Sequence, residues 1–353
     1  MPFFRKKADT ALNEFNQEVK ASSLSQDAWK RLKKNKMAIF GLTVVLIYIF
    51  VSLAAPILPI YPSARQELLH TNLPPSFKPA GTVLLETRES RFARVMQIQG
   101  RTEYNDTERA ELETIRADIQ ARPDVHSRVY ILGTDILGRD MLARIVYGGQ
   151  ISIGVGLVGT ITALFIGMFF GALAGYVGGR IDELIMRFVD VLYGLPYMLV
   201  VIILMSIFGR NIILLFIAIA LVSWLTFARI VRGQIVSLKN SEFVQAARSV
   251  GANVPRIIAI HLIPNTIGVI IVYSTLMLPN FIMSESFLSF LGLGVSAPLA
   301  SWGSLISDGV GTLELYPWLL VCPAIVMTLF LFAINFLGDG LRDAFDPQSK
   351  SRS

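Results

Sequence analysis

Six long apolar runs constrain the fold of this chain more than any other feature. They cover residues 37 to about 60, 151–177, 191–208, 212–227, 266–291 and 316–337. An α-helix rises about 1.5 Å per residue, so it needs about 20 apolar residues to cross a hydrocarbon core about 30 Å thick. Backbone amides in lipid must be satisfied within their own segment, and apolar runs without alternation favour helices over a barrel. The sequence therefore predicts an all-α, polytopic membrane protein with six transmembrane helices.

Composition and charge are typical of the same class. Of the 353 residues, 53% are hydrophobic and 16% are charged, whereas soluble domains have about 25% charged residues. Residues 1–36 contain nine Lys or Arg and four Asp or Glu, and loop 292–315 contains no Lys or Arg. By the positive-inside rule the N-terminus is cytoplasmic, and six crossings return the C-terminus to the cytoplasm. The net charge of +6 is attributed to this orientation, and no nucleic-acid partner is expected.

The chain is predicted to contain five parts: a basic cytoplasmic segment (1–36), a first transmembrane helix (37–60), an extracytoplasmic cap (61–150), a core of five transmembrane helices (151–347) and a tail (348–353). The first run is too long for a cleaved signal peptide. The cap contains twelve basic and twelve acidic residues. Within it, residues 107–124 have helical amphipathic spacing, with Thr107 as the N-cap. This helix either fills an insertion or has a docking role. The two short runs are expected to form a hairpin around Gly209, Arg210 and Asn211.

A half-polar stretch, SEFVQAARSVGANVPRIIAIHLIPN (241–265), lies between two of the most apolar runs. Asn240 or Ser241 can cap a helix whose first turn contains Glu242. Gly251 is predicted to end this helix, and Asn253 is predicted to cap a second one that leads into the membrane. The first helix has a narrow apolar stripe at positions i, i+3, i+4 and i+7: Phe243, Ala246, Ala247 and Val250. Its small alanines permit close approach by a protein surface; the alternative is a loop held at the lipid headgroups by its arginines.

The spacing of Gln245-Ala246-Ala247, Gly251 and Ile263-Pro264 resembles the EAA…G…I-LP loop of ABC-transporter permease subunits. Gln245 replaces the family's Glu, and His261 replaces a later Ile. The ending from His261 to Asn265 resembles the dipeptide and oligopeptide branch. The resemblance implies a cytoplasmic coupling loop at residues 240–264, which inserts into a cleft on a separate ATP-hydrolysing subunit. The residues expected to couple to that ATPase are Glu242, Gln245, Ala246, Ala247, Arg248, Gly251, His261, Pro264 and Asn265.

Three further stretches are similar to the C-type subunit of this branch. They are residues 132–156, with Gln150 in place of the usual Arg, residues 285–309 and residues 335–347. The first membrane segment also resembles that subunit, whereas residues 63–129 have no counterpart. The resemblance implies a type I importer permease fold in the bacterial inner membrane, carrying dipeptides or oligopeptides. Its implied partners are membrane lipid, a second homologous permease forming a heterodimer, two ATP-binding-cassette ATPase subunits and an extracytoplasmic solute-binding protein.

Motifs for chemistry are missing from the sequence. No Gly-x-x-x-x-Gly-Lys-Ser/Thr occurs, so ATP hydrolysis is assigned to a separate subunit and the chain is not predicted to be an enzyme. The histidines, His70, His126 and His261, lack the spacing of a zinc site. The single cysteine, Cys322, cannot form an intrachain disulfide. No catalytic residue, cofactor or metal is therefore predicted.

Two polar residues in the fifth run, Asn280 and Glu285, are candidates for a pathway or gate. A carboxylate in the bilayer costs on the order of 2.5 to 3.5 kcal/mol, so Glu285 must face protein or water. The alternatives are a hydrogen bond to neighbouring serines for Glu285 and a helix kink near Pro279 for Asn280. An ATP-independent channel or secondary carrier for a small solute is the alternative function, although the chain shows no convincing inverted repeat. The spans do not discriminate peptides from nickel complexes, glutathione or oligosaccharides.

Overall fold

The computed structural model describes residues 24–209 and 212–345, and within these ranges the chain is built from helices. The only β-type pairings in these ranges are two isolated bridges, Pro79 with Val129 and Thr134 with Asp140. The all-α class is confirmed. Predictions for the first 23 residues, for the hairpin residues Arg210 and Asn211, and for the tail lie outside the described residues.

Most of the helices follow one another with short connections, except between Leu53 and Ala80, between His126 and Met141 and between Phe290 and Trp302. In chain order they are α1 (Leu24–Lys34), α2 (Lys36–Leu53), α3 (Ala80–Gln99), α4 (Asp106–Ala121), α5 (Pro123–His126), α6 (Met141–Val177), α7 (Gly179–Tyr193), α8 (Tyr197–Phe208), α9 (Ile212–Leu238), α10 (Glu242–Ser249), α11 (Val254–Arg256), α12 (Ile263–Phe290), α13 (Trp302–Val310) and α14 (Trp318–Phe345). A 3₁₀ turn, Leu68–His70, precedes α3, and a π-helical segment, Ile257–Leu262, joins α11 to α12.

Five segments of the described chain are long and apolar enough to cross a membrane: Lys36–Leu53, Met141–Val177, Phe216–Leu238, Val254–Phe290 and Trp318–Phe345. A sixth crossing requires α7 and α8 to count as one bent span, because these helices meet at 79°. Pro196 is the N-cap of α8, where its missing N–H removes no hydrogen bond from the helix. The third predicted crossing is therefore a broken element rather than a straight helix.

The span that follows the cap begins at Met141 rather than at residue 151. Asp140 caps it, because its carboxylate accepts a hydrogen bond from the N–H of Leu142 at 3.0 Å. Arg144 lies in the first turn and is buried, with its guanidinium 2.7 Å from the Asp135 carboxylate. A charged residue can therefore belong to this helix although it lies outside the apolar run 151–177.

Residues 132–140, which have the pattern Leu-Gly-Thr-Asp-x-x-Gly-Arg-Asp, form a tight turn before α6. The Asp135 carboxylate accepts hydrogen bonds from the N–H groups of Leu137 and Arg139 at 2.8 and 2.9 Å. The guanidinium groups of Arg139 and Arg144 each donate to it at 2.7 Å. Gly138 has φ +70° and lies against the backbone of Glu67, so no side chain fits there. The motif thus fixes the end of the cap to the start of α6.

Helices α6 and α9 pack more extensively than any other pair in the described chain. Three glycines of α6 at intervals of four residues, Gly167, Gly171 and Gly175, face the α9 backbone, and a side chain on any of them would collide with α9. Small residues at such spacing allow helices in lipid to approach closely and gain van der Waals contact. This pair forms the centre of the bundle.

The cap contains two long helices, α3 and α4, and the short helix α5, where one helix was predicted. Helix α4 begins at Asp106, and its N-cap is Asn105 rather than Thr107, so the predicted cap residue is wrong. The Asn105 side chain accepts from the N–H of Glu108 at 2.7 Å, and the Glu108 carboxylate accepts from the N–H of Asn105 at 2.8 Å. This reciprocal capping box satisfies two donors at once, which a Thr107 cap would not.

Candidate functional site

The first half of the predicted coupling loop is a short exposed helix, α10. Ser241 occupies its N-cap position, but the hydroxyl donates to the carbonyl of Leu238 at 2.7 Å and makes no capping hydrogen bond. The predicted capping by Ser241 is therefore wrong at the level of its side chain. Glu242 does lie in the first turn and is exposed, where a carboxylate is favoured by the helix dipole.

One face of α10 is anchored in the bundle and the other is free. Val244 and Ala247 are buried, in a cluster that also contains residues of α6, α9 and α12. Phe243, Ala246 and Val250 are exposed, and Val250 has 85% of its surface accessible. The predicted stripe therefore does not face the core, except at Ala247. Its remaining members form an outward apolar ridge, which we call the exposed ridge.

The turn after α10 has the predicted geometry. Gly251 has φ +83°, and no atom lies within 4 Å of the position that a Cβ would occupy. Glycine is therefore required by the backbone conformation rather than by crowding. Asn253 caps the next helix, because its side chain accepts from the N–H of Arg256 at 3.1 Å.

Polar contacts tie this turn to the ends of two long helices. The Arg248 guanidinium donates to the Tyr176 hydroxyl at 3.3 Å and lies 5.3 Å from the centre of the Tyr176 ring. Lys239, which follows α9, donates to the carbonyl of Gly175 in α6 at 3.0 Å. Gln245 donates to the carbonyl of Asn240 at 2.9 Å. A displacement of α10 would therefore act directly on α6 and α9.

His261, Pro264 and Asn265 lie together at the junction between the loop and the membrane span. His261 is in the π-helical segment, and Pro264 is in the first turn of α12. Proline has no N–H for the regular helical bond to the carbonyl four residues earlier, which favours a local change of helical pitch. The Asn265 side chain donates to the carbonyl of His261 at 2.6 Å. These residues lie where the π-helical segment changes into the regular helix α12.

The structure separates the two pathway candidates. Asn280 is exposed and lines a cavity of about 300 Å³ between α8, α9 and α12. Its polar lining comprises Tyr193, Tyr197, Ser223, Thr226, Asn280 and Ser284. None of the described lining residues is Asp, Glu, Lys, Arg or His. The hydroxyl groups were not predicted, although serine and threonine within apolar runs were the available signal.

Glu285 does not line this cavity and is completely buried. Its Oε1 accepts hydrogen bonds from the Ser289 hydroxyl at 2.7 Å and from the Ser301 hydroxyl at 2.6 Å. Ser301 is the N-cap of α13, so the carboxylate joins α12 to α13. Its Oε2 has no hydrogen-bond partner among the described residues. These contacts agree with a helix-joining role.

Comparison with known proteins gives matches over nearly the whole chain. A family model for the inner membrane component of binding-protein-dependent transport systems matches residues 167–351. A second model, for the N-terminal TM domain of oligopeptide transport permease C, matches residues 23–75.

Three curated relatives illustrate the similarity. The oligopeptide transport system permease protein OppC of Haemophilus influenzae is 52% identical over 221 residues, which cover 63% of this chain and 71% of that one. The dipeptide transport system permease protein DppC of Bacillus subtilis is 42% identical over 333 residues, 94% of this chain and 88% of that one. OppC of Escherichia coli is 41% identical over 348 residues, 98% and 99% of the two chains.

Proposed function

The chain belongs to the family of binding-protein-dependent transport system inner membrane components, and from this membership we propose that it is the permease subunit of an ABC importer for peptides. It is a multi-pass protein of the inner membrane, and it is not an enzyme, because ATP hydrolysis in such transporters belongs to a separate subunit. Relatives that align over nearly the full chain are named as dipeptide and oligopeptide permeases. That naming supports peptides as the substrate class.

The observation that carries the proposal is the exposed ridge on an anchored helix. Neighbouring exposed apolar residues that are rimmed by polar ones mark interaction sites, and the exposed ridge has this arrangement. Val244 and Ala247 hold α10 to the bundle, while Phe243, Ala246 and Val250 remain free for a partner. We therefore assign the ridge to the ATPase subunit and Glu242, Gln245 and Arg248 to its polar rim. Gly251, His261, Pro264 and Asn265 are assigned to the joints on either side.

Coupling follows from the attachments of α10. When ATP binding closes the ATPase pair, α10 moves with it, and the contacts of Arg248 and Lys239 transmit that motion to α6 and α9. The close glycine-mediated packing of these two helices makes them move as one body. Alternating access then results from rigid-body motion of this pair against the other helices.

The cavity beside Asn280 is proposed as part of the peptide pathway. Hydroxyl and amide groups can exchange hydrogen bonds with a peptide backbone, and the lack of charged groups in the lining avoids selection by side-chain charge. A second homologous permease would complete the pathway as a heterodimer. Two ATPase subunits and an extracytoplasmic solute-binding protein would complete the transporter.

A charge placed on the exposed ridge tests the proposal. Val250→Asp puts a carboxylate on a residue that is 85% exposed, so it removes an apolar contact without disturbing the core. Ile98→Asp is the matched control, because Ile98 is 79% exposed but lies in the cap. We expect V250D to lose co-purification of the ATPase subunits and ATP-driven uptake, and I98D to retain both. Association and uptake at wild-type levels in V250D would refute the assignment. Uptake by wild-type protein without any associated ATPase would instead support the channel or carrier alternative.

A further inference from the structure

The cap contains a basic groove that the proposed transport cycle does not use. It has a volume of about 520 Å³ and lies between α3 and the extended segment before that helix. Lys78, Glu86, Arg91 and Arg94 are its charged residues. The Lys78 ammonium and the Glu86 carboxylate are 2.6 Å apart and neutralise each other. The groove therefore has two uncompensated positive charges, on Arg91 and Arg94.

These two arginines differ from the others of the α3–α4 hairpin. Four ion pairs hold the hairpin together: Arg88 with Glu111, Arg101 with Glu108, Arg109 with Glu103 and Arg116 with Glu89. The side chains of Arg91 and Arg94 are exposed and form no ion pair or hydrogen bond with the described residues. They are three residues apart, so they lie side by side on one helix face, where like charges repel. Two guanidinium groups in this position are free to bind carboxylates in bidentate geometry.

The groove is held open by the core of the cap. Its second wall is Pro74-Pro75-Ser76, and the N–H of Ser76 donates to the carbonyl of the buried Tyr130 at 3.1 Å. Phe77, between two lining residues in the sequence, is 82% exposed. Aromatic residues and arginine are both enriched at protein interfaces, and a fixed site loses little entropy on binding.

We propose that this groove docks a carboxylate-rich face of the extracytoplasmic binding protein. The inference rests on the proposed function and on the predicted orientation of the cap, and the family itself is defined by dependence on a binding protein. Opposite charges on the two proteins accelerate their encounter and fix its orientation, while contributing less to the later steps of transport. The charges of the groove should therefore lower the concentration of binding protein at which uptake is half-maximal.

The test uses the complete transporter in proteoliposomes and measures peptide uptake against the concentration of its purified binding protein. In Arg91→Glu/Arg94→Glu we expect the half-saturating concentration to rise about tenfold, with the uptake rate at saturation unchanged. In 0.5 M salt the wild type should approach the variant, because exposed charges are then screened within about a Debye length. Arg65→Glu is the control, since Arg65 is exposed and is also unpaired among the described residues, and we expect it to stay within about twofold of wild type.

Other outcomes overturn the inference in distinguishable ways. An unchanged half-saturating concentration in the double variant, with normal uptake by wild type, refutes the groove and leaves the proposed function standing. An effect that appears in liposomes with anionic lipid and disappears in purely zwitterionic ones would assign the groove to headgroups instead. A wild-type transporter whose uptake does not depend on the binding protein would contradict the proposed function itself.

Discussion

Acidification from pH 7 to pH 4 is expected to loosen the cap, because burial and neighbouring positive charges oppose protonation of His70 and lower its pKa. His70 Nε2 lies 3.0 Å from His126 Nδ1, and His70 Nδ1 lies 3.1 Å from the Tyr130 hydroxyl. His126 Nε2 lies 2.7 Å from the Asp118 carboxylate, which must accept its hydrogen. With both rings neutral, every donor in this series of hydrogen bonds, from Tyr130 to Asp118, has an acceptor. With both rings protonated, two N–H groups would point at each other.

The magnitude follows from the position of His70. Burial lowers the pKa of His70 from its usual 6.5 to about 4, and the positive charges of His126, Arg128 and Arg122 act in the same direction. Between pH 6.5 and pH 4 the opened cap therefore binds more protons than the closed one, so closure weakens as the pH falls. Because each tenfold change in a proton-binding constant corresponds to about 1.36 kcal/mol, closure of the cap loses about 3 kcal/mol of free energy by pH 4. Asp118, whose pKa is lowered to about 2 by Arg122 and His126, adds to the loss only at more acidic pH.

Hydrogen–deuterium exchange of the purified protein in nanodiscs measures this effect. After correction for intrinsic exchange, we expect amides of α4 and α5 to exchange about 100-fold faster at pH 4 than at pH 7. His70→Gln should remove most of that dependence, because glutamine can donate and accept but does not titrate in this range. His261→Gln, in the predicted coupling loop, should leave it unchanged. Equal protection at both pH values in wild type, or a full pH dependence in H70Q, would show that His70 does not control opening of the cap.

Substitutions at Gly251, Gly171 and Glu285 separate backbone, packing and polar contributions. Gly251→Val should abolish ATP-driven uptake while the protein still inserts, because its φ of +83° disfavours a β-branched residue; Gly100→Val, with φ +64° in the cap, should retain uptake. Gly171→Leu should lower the yield of folded protein in detergent, since the backbone of α9 leaves no space for a side chain, and normal yield would argue against the close α6–α9 packing. Glu285→Gln should keep folding and uptake, whereas Glu285→Ala should lose about 1 to 3 kcal/mol for each serine hydroxyl left unpaired; loss of uptake in a well-folded E285Q would indicate a pathway role instead.

Local rules predicted the coupling loop well where a single residue decides the conformation. Gly251 and Asn253 have the conformations expected of them, since a left-handed turn and an N-cap each depend on one side chain. The sequence left open which residues of the apolar stripe the bundle covers: Ala247 is buried, whereas Phe243, Ala246 and Val250 are exposed. Periodicity places a stripe on a helix but does not place the helix against its neighbours.

The break between α7 and α8 shows the same limit on a larger scale. Hydropathy detects the apolar run 191–208, but the direction of the helices on either side of Pro196 depends on tertiary packing. The cavity beside Asn280 also depends on that break, since it is lined both by Tyr193, at the end of α7, and by Tyr197, at the start of α8. Helix α3 was missed because its apolar positions are mixed with charged ones, of which Arg88 and Glu89 pair with residues of α4.

Uptake by reconstituted protein of defined composition shows whether transport through this chain requires ATP hydrolysis by a partner subunit. The chain and its companion permease are placed in proteoliposomes with and without the ATPase subunits, and labelled peptide is followed in the presence of binding protein and ATP. We expect accumulation only when the ATPase subunits and ATP are both present. Accumulation, or equilibration of peptide across the membrane, by the permease pair alone would contradict the account.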